Sequence, residues 1–223
     1  MQSVKDSYRL AVSGKHLLIV LLPIYNGTSN GLLFGELTRA FASCILGVDH
    51  VGVCMMVYAV TTCISCMACG KFSARYGRNI PFLLATAVEV TIYVFCLNWN
   101  ITTDNTWLVY ALFAAFGVSL AVWNTLIIAM YGEYFEDEEK LAYNLWNIVC
   151  SMGLMWQFAV STFFCVYVKI YIQLGLLGAA VITYLISLVI YYPEQCRLIQ
   201  NKKSIKTVTQ TVGEKLTSRE SVI

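Results

Sequence analysis

Residues able to do chemistry are scarce in this sequence, and most sit inside long apolar runs. The most polar of these stretches is Tyr25-Asn26-Gly27-Thr28-Ser29-Asn30-Gly31, which begins two residues after Pro23. Asn26 and Asn30 share one helix face, and Gly27, Gly31 and Gly35 form a second stripe beside it. An interrupted, polar span of this kind is what lines the solute site of a transporter. Small residues with interhelical amide bonds also let two helices pack closely. Both readings stay open. Glu36 and Arg39, three apart, can pair on one face of the same span, as a structural ion pair or as a gate at its mouth. Glu89 lies in the middle of another apolar run, where an ionisable group is costly and needs a partner. It reads either as a proton or cation relay or as a neutral carboxyl bonded to a neighbouring helix. Asn124 follows Trp123 in a third run, and Asn144, Asn147 and Gln157 add amides in a fourth.

Other motifs carry weaker signals. Cys63, Cys66 and Cys69 repeat every three residues, but no nearby His or carboxylate completes a metal site. His16 and His50 have no partner for nucleophile activation, and no phosphate-cradling Gly-Lys-Ser/Thr loop is present. The sequence therefore reads as non-enzymatic, with no cofactor. Asn100-Ile-Thr102 is a glycosylation acceptor. Asn26-Gly-Thr28 has the same pattern but lies too deep in its span. Cys196 follows the last apolar run and is a candidate for palmitoylation. Ser221-Val222-Ile223 ends the chain in the form that a PDZ-type scaffold groove captures.

The elements that must position these residues follow from composition. The 223 residues are 58% hydrophobic and only 13% charged, where a soluble domain carries about a quarter charged. This is an integral membrane protein whose surroundings are membrane lipid. A net charge of +2 gives no basic field for nucleic acid. The nine cysteines fall mostly within apolar runs and act as packing residues, not as a disulfide framework. The first run has no cleavage site and reads as an uncleaved span.

Six apolar segments, about 17–41, 50–69, 80–99, 107–131, 142–166 and 170–192, each approach the roughly 20 residues that cross a bilayer. All must be helices, since no barrel-like alternation is present. Residues 1–16 form a polar N-terminal segment, and 193–223 a basic tail that reads as disordered. Thirteen cations fall on the side of the N-terminus: three before the first span, Lys71, Arg75 and Arg78 in the second hinge, Lys140, and six in the tail. Arg39 and Lys169 alone fall on the other. That bias makes both termini cytoplasmic and puts Asn100 outside. Aromatic residues such as Trp107, Tyr110, Tyr131 and Tyr171 collect at span ends, as an interfacial belt does. The acidic loop from Glu133 to Glu139 reads as a solvated turn or a lure for a basic partner.

Two resemblances rest on particular residues. Gly70, Arg75, Gly77 and Arg78 match the spacing of the basic loop in major facilitator superfamily proteins, with Ala74 where that loop has an acidic residue. Tyr25-Asn26-Gly27, Phe34 to Phe41, His50-Val51-Gly52, Ala129 to Gly132 and Ala142 to Trp146 resemble the C-terminal half of the unc-93-like family. The resemblance covers nearly all of residues 17–192. It implies an all-α membrane protein whose six transmembrane helices form one half of a twelve-span facilitator fold, as two inverted three-helix repeats. The first and fourth helices would line a central cavity, which brings Asn26, Asn30 and Asn124 near it. The family includes potassium-channel regulatory subunits and a trafficking chaperone, so a fold of this kind does not by itself mean transport. The length implies a fragment, a short form, or a half that pairs with its missing N-terminal half, with itself or with a channel subunit. Three functions follow as expectations: a regulatory or trafficking subunit at the plasma membrane or an endomembrane, a facilitator-type transporter, or an inactive half-length product.

Overall fold

The computed structural model describes Ser7, residues 9–98 and residues 106–191. Asn100, Cys196, Ser221, Val222 and Ile223 lie outside the described residues, as does the tail. Six long helices carry the rest: α1 (Gly14–Leu46), α2 (Val48–Tyr76), α3 (Asn79–Asn98), α4 (Trp107–Tyr134), α5 (Glu139–Ala159) and α6 (Val166–Tyr191). Among the described residues there is no strand. All but α5 are long and apolar enough to cross a membrane. α5 falls short because Glu139, Lys140, Asn144, Asn147 and Gln157 dilute its apolar residues. Met1–Val181 forms one compact unit and Ile182–Ile223 a second.

The helices are punctuated where the backbone requires it. Gly47 (φ +94°) separates α1 from α2, and Gly77 (φ +83°) separates α2 from α3. Both are left-handed conformations that only glycine adopts without strain. The expected interruption of the first span at Tyr25–Gly31 is not found. Those residues are α-helical, and the irregularity lies at Val20, between Gly14–Ile19 and Leu21–Gly31. Pro23 explains the shift. It occupies the first turn of the second piece, where its missing N–H removes no established bond. The polar residues are then absorbed by their own helix: Asn30 Nδ2 donates to the Asn26 carbonyl at 2.7 Å and Thr28 Oγ1 to the Tyr25 carbonyl at 2.9 Å. From Leu32 to Leu46 the winding widens into a π-helix.

Two crossings organise the bundle. α1 packs on α5 where Gly27 meets Gly153. A Cβ on Gly153 would come within 2.6 Å of the Ile24 carbonyl, one on Gly27 would strike the Cys150 carbonyl, and one on Gly31 would lie 2.6 Å from Gln157 Cβ. Close approach of this kind is how helices gain contact in lipid, where no hydrophobic effect drives them together. α2 packs on α4 at Gly117, where a Cβ would lie 2.8 Å from the Tyr58 carbonyl. At the centre, buried Trp123 of α4 packs at a tilt against Tyr25 of α1 (centroids 5.0 Å) and edge-on against Phe82 of α3 (4.8 Å). The two ends of the bundle are tied separately. Tyr110 OH meets His50 Nδ1 at 3.1 Å at one end, and Arg78 pairs with Glu133 at the other.

Candidate functional site

Three polar clusters lie within the bundle, and α1 contributes to each. The first is an ion pair. Glu36 and Lys169 are almost wholly buried, at 1% and 2% exposure, with Lys169 Nζ 2.6 Å from Glu36 Oε1. Ser161 completes the site: its hydroxyl donates to Glu36, and its carbonyl accepts from Lys169 Nζ at 2.7 Å. The expected Glu36–Arg39 pair does not form. In the widened π-helix, position i+3 rotates off the face of position i, so Glu36 faces protein while Arg39 is exposed. The second Glu36 oxygen, Oε2, is buried with no partner among the described residues.

The second cluster surrounds Glu89 of α3, which has no solvent exposure. Ser29 Oγ of α1 donates to Glu89 Oε1 at 2.9 Å, and Tyr93 OH donates to the same oxygen at 3.2 Å. Ser119 Oγ of α4 reaches Glu89 Oε2 at 3.2 Å and the Ala85 carbonyl at 3.3 Å. Tyr25 OH and Ser29 Oγ meet Tyr93 OH at 3.3 and 3.0 Å, and Gln173 Nε2 of α6 donates to the Tyr25 carbonyl at 3.3 Å. Hydroxyls from three helices therefore converge on one carboxyl. They satisfy it whether it carries a proton or not, because Ser119 can donate to Glu89 or turn to Ala85.

The third cluster is amide. Asn26 Nδ2 of α1 donates to Asn124 Oδ1 of α4 at 2.7 Å and lies 3.7 Å from Cys150 Sγ of α5. Asn30 is half-buried and bonds back to Asn26, and Asn144 and Asn147 of α5 are exposed. Asn26, Asn30 and Asn124 thus come together. Glu36, Arg39 and Glu89 stand apart from that group.

Several hydrogen-bonding partners were not singled out from sequence: Lys169 and Ser161 for Glu36, and Ser29, Tyr93 and Ser119 for Glu89. Tyr93 follows Glu89 by four residues, so the helical period alone could have flagged it. Among the described residues no three His, Cys, Asp or Glu side chains converge as a metal site, and the eight described cysteines are free thiols.

The chain as a whole is similar to known proteins. A family model described as Major Facilitator Superfamily matches residues 10–220. Protein unc-93 homolog A of Homo sapiens is 31% identical over 179 residues, covering 80% of this chain and 39% of the relative. That of Xenopus laevis is 30% identical over 194 residues, covering 86% and 41%. A Caenorhabditis elegans protein named "Putative potassium channel regulatory protein unc-93" is 27% identical over 150 residues, covering 66% and 21%. The chain spans about two-fifths of the length of the unc-93 homolog A relatives it matches. No solved structure matches it significantly. An all-helical bundle of apolar spans, matched by that family model from residue 10 to residue 220, belongs to the Major Facilitator Superfamily and is similar to the unc-93 proteins within it.

Proposed function

We propose that this chain acts in the membrane as a non-enzymatic regulatory or trafficking subunit of another membrane protein, with a potassium channel as the partner class. The observation that carries the reading is the state of its two intramembrane carboxyls. Glu36 is held by Lys169 and Ser161, and Glu89 by Ser29, Tyr93 and Ser119. A transporter keeps such groups available to solute or ion at the cavity. Here they are turned into links between helices, which suits a rigid body that docks on a partner. The name of the Caenorhabditis elegans relative points to the same partner class. The orientation that goes with it is cytoplasmic termini, from the cation bias of the sequence.

A second reading, a facilitator-type transporter, has one observation in its favour. Asn26 and Asn124 bridge α1 and α4, and half-buried Asn30 lies beside them. Two measurements separate the readings. Co-expression with a potassium channel is expected to change the channel's current or its surface number, and proteoliposomes of the purified chain alone are expected to show no potassium or solute flux above protein-free vesicles. Flux from the chain alone, with channel current unchanged, would overturn the regulatory reading in favour of transport.

A further inference from the structure

Between α2, α3 and α4 lies a lateral cavity of about 270 Å³ into whose lining none of the polar side chains of the three clusters enters. Its α2 wall is Ser65, Ala68 and Phe72, and its α3 wall is Pro81, Ala85 and Val88. Both follow the helical repeat of three and four, so each wall is one continuous stripe. From Ser65 to Phe72 the groove runs about 10 Å along the helix axis. One leaflet of hydrocarbon is about 15 Å deep. The lining is almost wholly apolar, and small side chains at positions 65, 68 and 85 give it its depth.

Continuing both stripes by one turn leads to charge. Three residues beyond Phe72 on α2 stands Arg75, exposed and over the ring of Tyr76 at 5.7 Å. Three residues before Pro81 stands Arg78, whose guanidinium is already bound to Glu133. Exposed Lys71 precedes Phe72 directly. Neither Lys71 nor Arg75 forms an ion pair among the described residues. The groove is thus apolar along its length and cationic at its mouth, the complement of one acyl chain of a phospholipid and of its anionic headgroup.

We propose that this groove is a binding site for an anionic glycerophospholipid, with an acyl chain along Ser65–Phe72 and Pro81–Val88 and the headgroup phosphate at Arg75 and Lys71. Arg78 is the spectator. Its charge is neutralised by Glu133, and its role is to brace the hinge against α4. The assignment rests on the orientation above only in that the mouth then opens toward the cytoplasmic leaflet, where anionic lipids concentrate.

The test uses the full chain in nanodiscs of mixed phosphatidylserine and phosphatidylcholine with identical leaflets, so that lipid binding is independent of orientation. After transfer to detergent, native mass spectrometry counts the lipids retained. Wild type is expected to retain phosphatidylserine over phosphatidylcholine. Arg75→Gln should lower that preference about fivefold, and Lys71→Gln by a similar factor. Ala68→Leu, which fills the groove at an exposed position, should lower retention of both lipids and leave the thermal transition in place. Equal retention of the two lipids by wild type, or a preference that survives Arg75→Gln and Lys71→Gln together, would overturn the proposal. So would retention of both lipids unchanged by Ala68→Leu. Separate labelling of the hinge in intact and permeabilised cells reads orientation alone, so the failure of one reading is distinguishable from the failure of the other.

Discussion

Glu36 and Lys169 show what a single pair of residues can demand of a membrane protein. Two charges taken out of water lose their hydration, and their attraction offsets that loss only when geometry is good and the remaining donors are filled. Here Lys169 Nζ has both the Glu36 carboxylate and the Ser161 carbonyl, at 2.6 and 2.7 Å. Removing one partner strands the other. Lys169→Met should destabilise the bundle by about 3–5 kcal/mol, read as a large fall in the thermal transition of the purified protein. Glu36→Gln combined with Lys169→Met should recover most of that loss. Arg39→Ala, on the exposed side of the same helix, should stay within about 0.5 kcal/mol. If the double variant fell as far as the single one, the pair would not be what holds α6 to α1. The sequence marks Glu36 as a charge that needs a partner, but spacing along one helix offers only Arg39. The true partner lies 133 residues away, in a setting of Tyr167 and Tyr171 that reads as an interfacial loop. For Glu89 the position and the helical neighbour Tyr93 are legible, whereas Ser29 and Ser119 arrive only through packing of three helices.

At the scale of the element, the contact between α1 and α5 depends on the absence of side chains. Gly27 and Gly153 bring backbone against backbone, and Gly31 accepts Gln157 in the same groove. A branched side chain cannot be accommodated there by rotamer adjustment, because the obstructing atoms on the Gly27 and Gly153 sides are main chain. Gly27→Leu should therefore separate the helices and abolish recovery of monodisperse protein. Gly52→Ala, where a Cβ meets nothing within 4 Å, should leave yield and thermal transition near wild type. Equal behaviour of the two variants in size-exclusion chromatography would remove the close crossing as the organising contact. The glycine stripe of α1 is legible in the sequence as a packing face. Its partner is harder to find, because Gly153 stands alone in α5 with no spacing to announce it. The irregularity in α1 is misplaced by the sequence for a similar reason. Polar residues look like a break in an apolar run, yet side chains that bond to carbonyls of their own helix leave it intact, as Asn30 and Thr28 do.

For the whole molecule, the decisive quantity is the parity of membrane crossings, and it turns on α5. Five helices are apolar enough to span by composition, and α5 is the exception. One face of α5 packs inward, with Gln157 buried and Gly153 and Cys150 against α1, while Asn144 and Asn147 are exposed on the other. A helix packed along α1 in this way runs beside a spanning segment for about three turns, from Ile24 to Gly35, and a partial insertion would leave Gly27 and Gly31 of α1 facing lipid across an empty groove. Six crossings return the two ends of the chain to one compartment, and five would separate them. The charge distribution favours six. On the side away from the N-terminus stand Arg39 and Lys169 alone, against thirteen cations on the side of the N-terminus. Epitope tags before Met1 and after Ile223, and one inserted beside Glu136, should all be reached by antibody only after permeabilisation. A tag beside Asp49 should be reached in intact cells. Tags at the two ends exposed on opposite faces would mean that α5 does not cross, and the pairing of α1 with α5 would then have to form outside the membrane, where Gly27 and Gly31 have no reason to be glycine.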